Sequence, residues 1–338
     1  MQNTMSILEN LRKNDLLEVA PGIHCLQVVM VNVYFIRDLA GKPEDWVLVD
    51  AGLSGSANRI RRAAEKLFGQ GTRPRAIIMT HGHFDHVGAL RTLAYDWDVP
   101  VYAHLLELPY LTGRSAYPPP DPSVGGGAMA YMSWLYPKKP IDISPWVRKL
   151  PSDGHVPHLP GWTFIHTPGH TAGHVSFFRE QDRVLIAGDA FITVNQESML
   201  AVITQKQEIH GPPAYFTSNW EASKRSVERL MLLRPTVAAT GHGLPMYGDH
   251  MLHQLEQLVR DFEERAVPAH GRYVRHPAET DETGVVYVPP PVSDSFSKIM
   301  IGVGLVTLAG LTALVLRRRK NHFSFDESSY DVSGIGRL

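Results

Sequence analysis

Residues 80–86 read THGHFDH, which places three histidines and one aspartate in the six positions 81–86. The stretch follows the apolar run AIIM (76–79) and precedes VGALRTLAY (87–95), so it sits where a strand hands over to a helix. Imidazole nitrogens and carboxylate oxygens are the ligands a zinc-like cation takes, with one position left open for water at catalytic sites. In a strand end, residues two apart face the same way, so His81 and His83 can converge on one ion. Asp85 and His86 follow the turn into the helix and can face a second ion beside it. Gly82 permits the tight path between them.

Three later strand ends each deliver one more ligand beside a glycine. TPGHTAGH places His170 after WTFIHT, LIAGDAF places Asp189 after RVLIA, and AATGHG places His242 after TVAAT. A lone histidine after a strand is more often structural than ligating. Four such loops along one sheet edge, one of them THGHFDH, point to a metal centre.

The elements that must hold these loops alternate. HCLQVVMVNVYFI (24–36) and WVLVD (46–50) read as strands, and 58–68 reads as an amphipathic helix with Ile60, Ala63, Ala64, Leu67 and Phe68 on one face. VPVYAH, GWTFIHT, HVSFFRE, RVLIAGD and TVAAT read as further strands. Helices are expected over 87–95, over 219–233 and from near Asp249, where Met251, Leu255, Leu258 and Phe262 form a stripe. Strand–helix alternation of this kind implies an α/β layered fold. Between Leu105 and Pro157 the pattern breaks into PPPDPSVGGG and six aromatics, Tyr110, Tyr117, Tyr131, Trp134, Tyr136 and Trp146. That insertion is either a lid or pocket wall, or a surface excursion packed by its own rings. Residues 192–216 are expected to form a second wall.

Composition narrows the function. The 338 residues are 43% hydrophobic and 20% charged, enough for a large core. A formal net charge of -1 argues against nucleic-acid binding by counterion release. The single cysteine, Cys25, excludes an intrachain disulfide and a cysteine-based zinc site, leaving histidine and carboxylate as ligands. Of the 17 histidines, His24, His104, His155, His158, His166, His174 and His210 match no ligand motif. His104 and His210 flank irregular regions and remain candidates for substrate contact.

The C-terminal end differs from the rest. Residues 299–316 (IMIGVGLVTLAGLTALVL) carry no charge and are followed by RRRK. As a helix they would span roughly 27 Å against a ~30 Å hydrocarbon core, so a transmembrane helix is expected, with a buried core helix as the alternative. The expected domains are 1–292 catalytic, 293–298 linker, 299–316 membrane helix and 317–338 basic then polar tail. The basic cluster favours export of the catalytic domain. The lack of a signal peptide favours the cytoplasmic face, which is the placement expected.

THGHFDH, TPGHTAGH, LIAGDAF and TGHG, in that order and spacing, resemble the metallo-β-lactamase fold superfamily from about His24 to Ala266. The resemblance lies on the side of glyoxalase II-like thioesterases and metal-dependent lactonases. It implies a four-layer αββα sandwich with the metals at one edge. It assigns His81, His83 and His170 to one ion, Asp85, His86 and His242 to a second, and Asp189 to both, with Asp85 also orienting water and relaying its proton. Two divalent ions are implied, Zn2+ first, Mn2+ or Fe2+ as alternatives. The expected reaction is hydrolysis of an ester, thioester or lactone with an apolar portion. Persulfide dioxygenases, which resemble the same motif set and use one iron, and phosphodiester hydrolases are the alternatives. Thiol-using lactamases have a cysteine ligand that Cys25 does not match. The C-terminal helical domain that binds glutathione in glyoxalase II is not evident. No motif identifies substrate-binding residues.

Overall fold

The computed structural model describes residues 16–125, 127–196, 201 and 204–292. The chain divides into a unit ending at Val292 and a second, Ser293–Leu338, that lies outside the described residues. Seven strands form the first sheet in sequence order: β1 (Leu16–Ala20), β2 (Ile23–Val28), β3 (Val31–Arg37), β4 (Trp46–Val49), β5 (Ile77–Ile78), β6 (Val101–Ala103) and β7 (Val147–Lys149). The second sheet runs β12-β11-β10-β9-β8, from β8 (Trp162–His166), β9 (Val175–Arg179), β10 (Val184–Gly188), β11 (Val237–Thr240) and β12 (Met246–Tyr247). A separate hairpin, β13 (Glu279–Asp281) and β14 (Gly284–Tyr287), accounts for the late apolar run.

Three apolar clusters show why the strands are continuously hydrophobic. On β3, Val31, Val33 and Phe35 pack outward with the residues of helices α1 (Ala57–Phe68) and α3 (Leu90–Trp97). Tyr34 and Ile36 point the other way and meet Val175, Phe177, Val184, Ile186 and Ala239 of the second sheet. The far face of that sheet, through Phe178, Leu185 and Ala238, packs on Val227 and Leu230 of α4 (Trp220–Leu232) and Met251, Leu255 and Leu258 of α5 (Gly248–Arg260). Strands buried on both faces lose the apolar–polar alternation that exposed sheets keep. Truncating one of these side chains, such as Phe177→Ala, costs about 3–5 kcal/mol.

That double burial hid a turn. Residues 24–36 are two antiparallel strands, β2 and β3, joined through Val29 and Met30, with Val29 at φ 61°. No glycine, asparagine or proline punctuates the junction. The expected helix over 87–95 is also two pieces, a turn α2 (Phe84–Val87) and α3, while α1, α4 and α5 lie where their stripes placed them.

Strand direction puts the ligand loops together. β4 and β5 are parallel, and β8, β10 and β11 share one direction because β9 is antiparallel to both β8 and β10. Their C-terminal ends therefore open at common edges. The start of β3 ties the two edges together. Asn32, buried, donates its backbone N–H to Gly241 O at 2.8 Å and its side-chain amide to Thr240 O and Gly243 O at 2.9 and 2.7 Å.

The expected membrane anchor requires correction. No helix among the described residues is long and apolar enough to cross a membrane. The longest, α4 and α5, have 13 residues each, about 20 Å against a ~30 Å hydrocarbon core. The run 299–316, on which the anchor and the cytoplasmic placement rested, lies outside the described residues, and the membrane placement is not carried forward.

Candidate metal centre

All seven residues singled out as ligands are buried and gather at this edge. His81 and His83 leave the end of β5, Asp85 and His86 lie on α2, and His170, Asp189 and His242 follow β8, β10 and β11. One ligand atom from each of His81, His83 and His170 lies within 4.8 Å of the others, and the same holds for Asp85, His86 and His242. Asp189 stands between the two sets. Its Oδ2 is 3.5 Å from His170 Nε2, 3.6 Å from His86 Nε2 and 3.2 Å from His242 Nε2. Asp85 Oδ2 reaches His242 Nε2 at 3.4 Å.

Hydrogen bonds at the far side of each ring decide which nitrogen faces inward. His86 Nδ1 donates to Asp50 Oδ2 at 2.7 Å, and His242 Nδ1 donates to the carbonyl of Met30 at 2.7 Å. Thr80 gives its hydroxyl proton to Asp50 at 2.7 Å and so accepts from His81 Nδ1 at 3.0 Å. Thr217 likewise donates to Pro213 O at 2.9 Å and accepts from His170 Nδ1 at 3.3 Å. Four Nε2 lone pairs thus point into the centre. The fifth ring turns its Nδ1 inward, 2.9 Å from His170 Nε2, in His83.

The residues fit divalent cations. His81 Nε2, His86 Nε2 and Asp189 Oδ1 are buried without a hydrogen-bond partner, a costly arrangement unless an ion satisfies them. Burial holds His81, His83 (down to about 3) and His170 below the ordinary imidazole range, so these rings are neutral and ligand-competent. For His86 and His242 burial acts in the same direction, but carboxylates led by Asp189 outweigh it and raise both. Burial also opposes ionisation of Asp189, yet His242 and His86 hold it well below the carboxylate range. The anionic field that favours a proton there favours a divalent cation still more.

Other residues acquire roles that their sequence positions did not reveal. Asp50, at the end of β4, accepts from Thr80 N (2.8 Å), Thr80 Oγ1 and His86, and holds φ at 60°, an uncommon value away from glycine. Its only sequence signal was an aspartate closing WVLVD. His174 is not a ligand: its Nδ1 meets Thr167 Oγ1 at 2.8 Å and its Nε2 accepts from the Asp189 backbone at 2.9 Å. At Gly82 the need for glycine is space, since a Cβ would meet Tyr117 Oη at 2.7 Å. His104 stacks on His166 at 4.1 Å, and His210 lines a different, smaller pocket.

A cavity of about 550 Å³ opens over His83. Phe216 stacks on the His83 ring at 4.5 Å, Tyr117 lies 4.6 Å from it, and Phe84 stacks on Tyr136 at 5.3 Å. The 105–157 insertion therefore divides. Tyr110 and Tyr117 line the cavity, while Trp134 is exposed and Trp146 bonds to Asp98 at 3.2 Å. The insertion is also tied into the core through Leu111, Ile143 and strand β7. From the 192–216 segment, expected as a second wall, only Phe216 among the described residues lines this cavity; Ile192, Gln196, His210 and Tyr215 line the smaller one.

This fold and this edge of buried histidines and aspartates are those of the metallo-beta-lactamase superfamily, whose profile matches residues 26–242, and the chain belongs to it. Superfamily members bind divalent metals. The chain is 49% identical over 252 residues to the probable metallo-hydrolase YflN of Bacillus subtilis (strain 168), covering 75% of this chain and 95% of the relative. It is 29% identical over 215 residues to the probable metallo-hydrolase YybB of the same strain, covering 64% and 81%. Among solved structures, the metallo-beta-lactamase family protein TTHA1429 from Thermus thermophilus shares the fold, with a TM-score of 0.50 at 22% identity over 73% of this chain and 81% of that one.

Proposed function

We propose that this protein is a dinuclear metal-dependent hydrolase of an ester, thioester or lactone with an apolar acyl portion. The observation that carries the reading is the pair of buried candidate-ligand sets meeting at Asp189, beside an aromatic cavity that His83 lines. His81, His83 and His170 would hold one divalent ion, Asp85, His86 and His242 the other, and Asp189 both. Zn2+ suits this histidine–carboxylate set, with Mn2+ or Fe2+ as alternatives. When bound, such ions supply a hydroxide nucleophile at neutral pH and polarise the electrophilic oxygen.

The chain's own groups do the rest. Asp85, with one carboxylate oxygen 3.4 Å from His242 Nε2, would orient a water and take its proton. Phe84, Tyr117 and Phe216 cover the apolar portion of the substrate and exclude water from it. Cys25 does not compete as a nucleophile: it is buried between the sheets, which pushes its thiol up to about 12. Lys138 and Lys139, exposed at the cavity mouth, suit a substrate with negative charge beyond its apolar part.

The test is a panel of thioesters, lactones, aryl esters and phosphodiesters offered to the purified full chain. Turnover of an acyl compound, lost on chelation and restored by metal, is expected. Turnover of phosphodiesters alone would overturn the substrate class. Oxygen uptake with a persulfide, without hydrolysis, would overturn the reaction class.

A further inference from the structure

Glu107 is the most completely enclosed carboxylate among the described residues that no ligand set uses: its relative exposure is 0%. It sits just after β6, in a short helical turn (Leu105–Glu107) capped by His104. Burying a charge this deeply is costly unless its oxygens are matched by donors. Here both are. Oε2 accepts from the Gly82 backbone at 2.9 Å and from the Tyr117 hydroxyl, and Oε1 accepts from Thr171 Oγ1 at 2.7 Å and the Gly173 backbone at 3.0 Å.

The partners are not scattered. Gly82 lies between His81 and His83, while Thr171 and Gly173 follow His170. One carboxylate thus holds both loops that carry the first ligand set. None of these hydrogen bonds reaches the side chains of Asp85, His86 or His242; the rings of His86 and His242 are held by Asp50 and the Met30 carbonyl. The fit leaves no slack, since a Cβ at Gly173 would meet Glu107 Cγ and Oε1 at 2.8 Å each. The Tyr117 phenol, whose ring lines the cavity, shares this carboxylate with the ligand loops.

We infer that Glu107 is a positioning residue for one metal site only, clamping the His81–His83 loop to the His170 loop and tying both to the Tyr117 wall of the substrate cavity. The inference rests on the two-ion reading above. Glu107→Gln keeps the shape but puts an amide N–H₂ where an oxygen accepted two donors. The clamp then loses one half, and the geometry of the first set loosens while the second keeps its own anchors.

The test separates the sites by removing one ligand at a time. Zn2+ affinity is measured on the full chain by competition with a chromophoric chelator, in His242→Ala, which spares the first set, and in His170→Ala, which spares the second. Adding Glu107→Gln should weaken Zn2+ about 10–100-fold in the His242→Ala background, the range for losing a group that orients ligands. In the His170→Ala background the change should be under about threefold, since the His86 and His242 rings keep their own anchors in Asp50 and the Met30 carbonyl. Equal weakening in both backgrounds, or none in either, overturns the inference. If Glu107→Gln does not fold, Thr171→Val removes one donor to the same carboxylate and should show the same asymmetry in smaller measure. A parent chain that binds no Zn2+, Mn2+ or Fe2+ at all would overturn the two-ion reading itself, whereas two bound ions with no asymmetry would overturn only the role of Glu107.

Discussion

The candidate metal centre and the cavity that meets it at His83 are built on opposite principles. At the sheet edge, four of the five candidate-ligand imidazoles have the nitrogen away from the centre tied to a partner: Thr80, Asp50, Thr217 or the Met30 carbonyl. In the cavity, Phe84, Tyr110, Tyr117 and Phe216 meet mainly ring against ring, and two exposed lysines line it as well. Hydrogen-bonded rings hold ligand atoms to the tolerance a metal needs. Stacked rings fill space and exclude water but tolerate a change of shape. In the proposed reading the metal edge would fix the chemistry and the cavity the choice of substrate, so variants of the two regions should differ in kind.

The largest effect is expected at the point both ligand sets share. Asp189→Ala should abolish hydrolysis and strip bound metal together, by activity and elemental analysis; an active variant with full metal would remove Asp189 from the centre. Asp50→Ala comes next. It frees the His86 ring and the Thr80 hydroxyl, and metal affinity should fall about 10–100-fold. Unchanged affinity would show that His86 holds its orientation without that carboxylate. In the cavity, Phe216→Ala should leave metal content intact and lower kcat/KM about 10–100-fold for a long apolar acyl chain while sparing an acetyl ester. Equal losses on both substrates would mean that Phe216 supports His83 rather than the substrate. The smallest effect is away from the cavity. Asn219 caps α4, accepting from Ala222 N at 2.9 Å, and Asn219→Ala should cost about 1 kcal/mol in urea unfolding with activity unchanged.

The same contrast governs what could be read in the sequence. The seven residues that gather at the edge were legible because each follows a strand as a polar residue close to a glycine, a local pattern. Helices α1, α4 and α5 were legible because each buries one face only. The β2–β3 turn was not, since strands buried on both faces show no alternation and Val29–Met30 carries no turn residue. Glu107 was invisible for a different reason. Three of its four partners lie far off in the chain, Gly82 25 positions before it and Thr171 and Gly173 64 and 66 positions after it. Nothing local to HLLELPY announces a buried clamp. The insertion could be seen as aromatic, but which rings meet the cavity depends on how Leu111, Ile143 and β7 anchor it to the first sheet.

Whether one edge holds two metal ions is tested most directly by metal content per chain. Elemental analysis of the full chain, purified without added metal and then reconstituted with Zn2+, should give two equivalents, falling to one in His170→Ala and in His242→Ala alike. A single equivalent of iron in the parent chain, unaffected by His242→Ala, would contradict the two-ion centre and leave the second ligand set without a function.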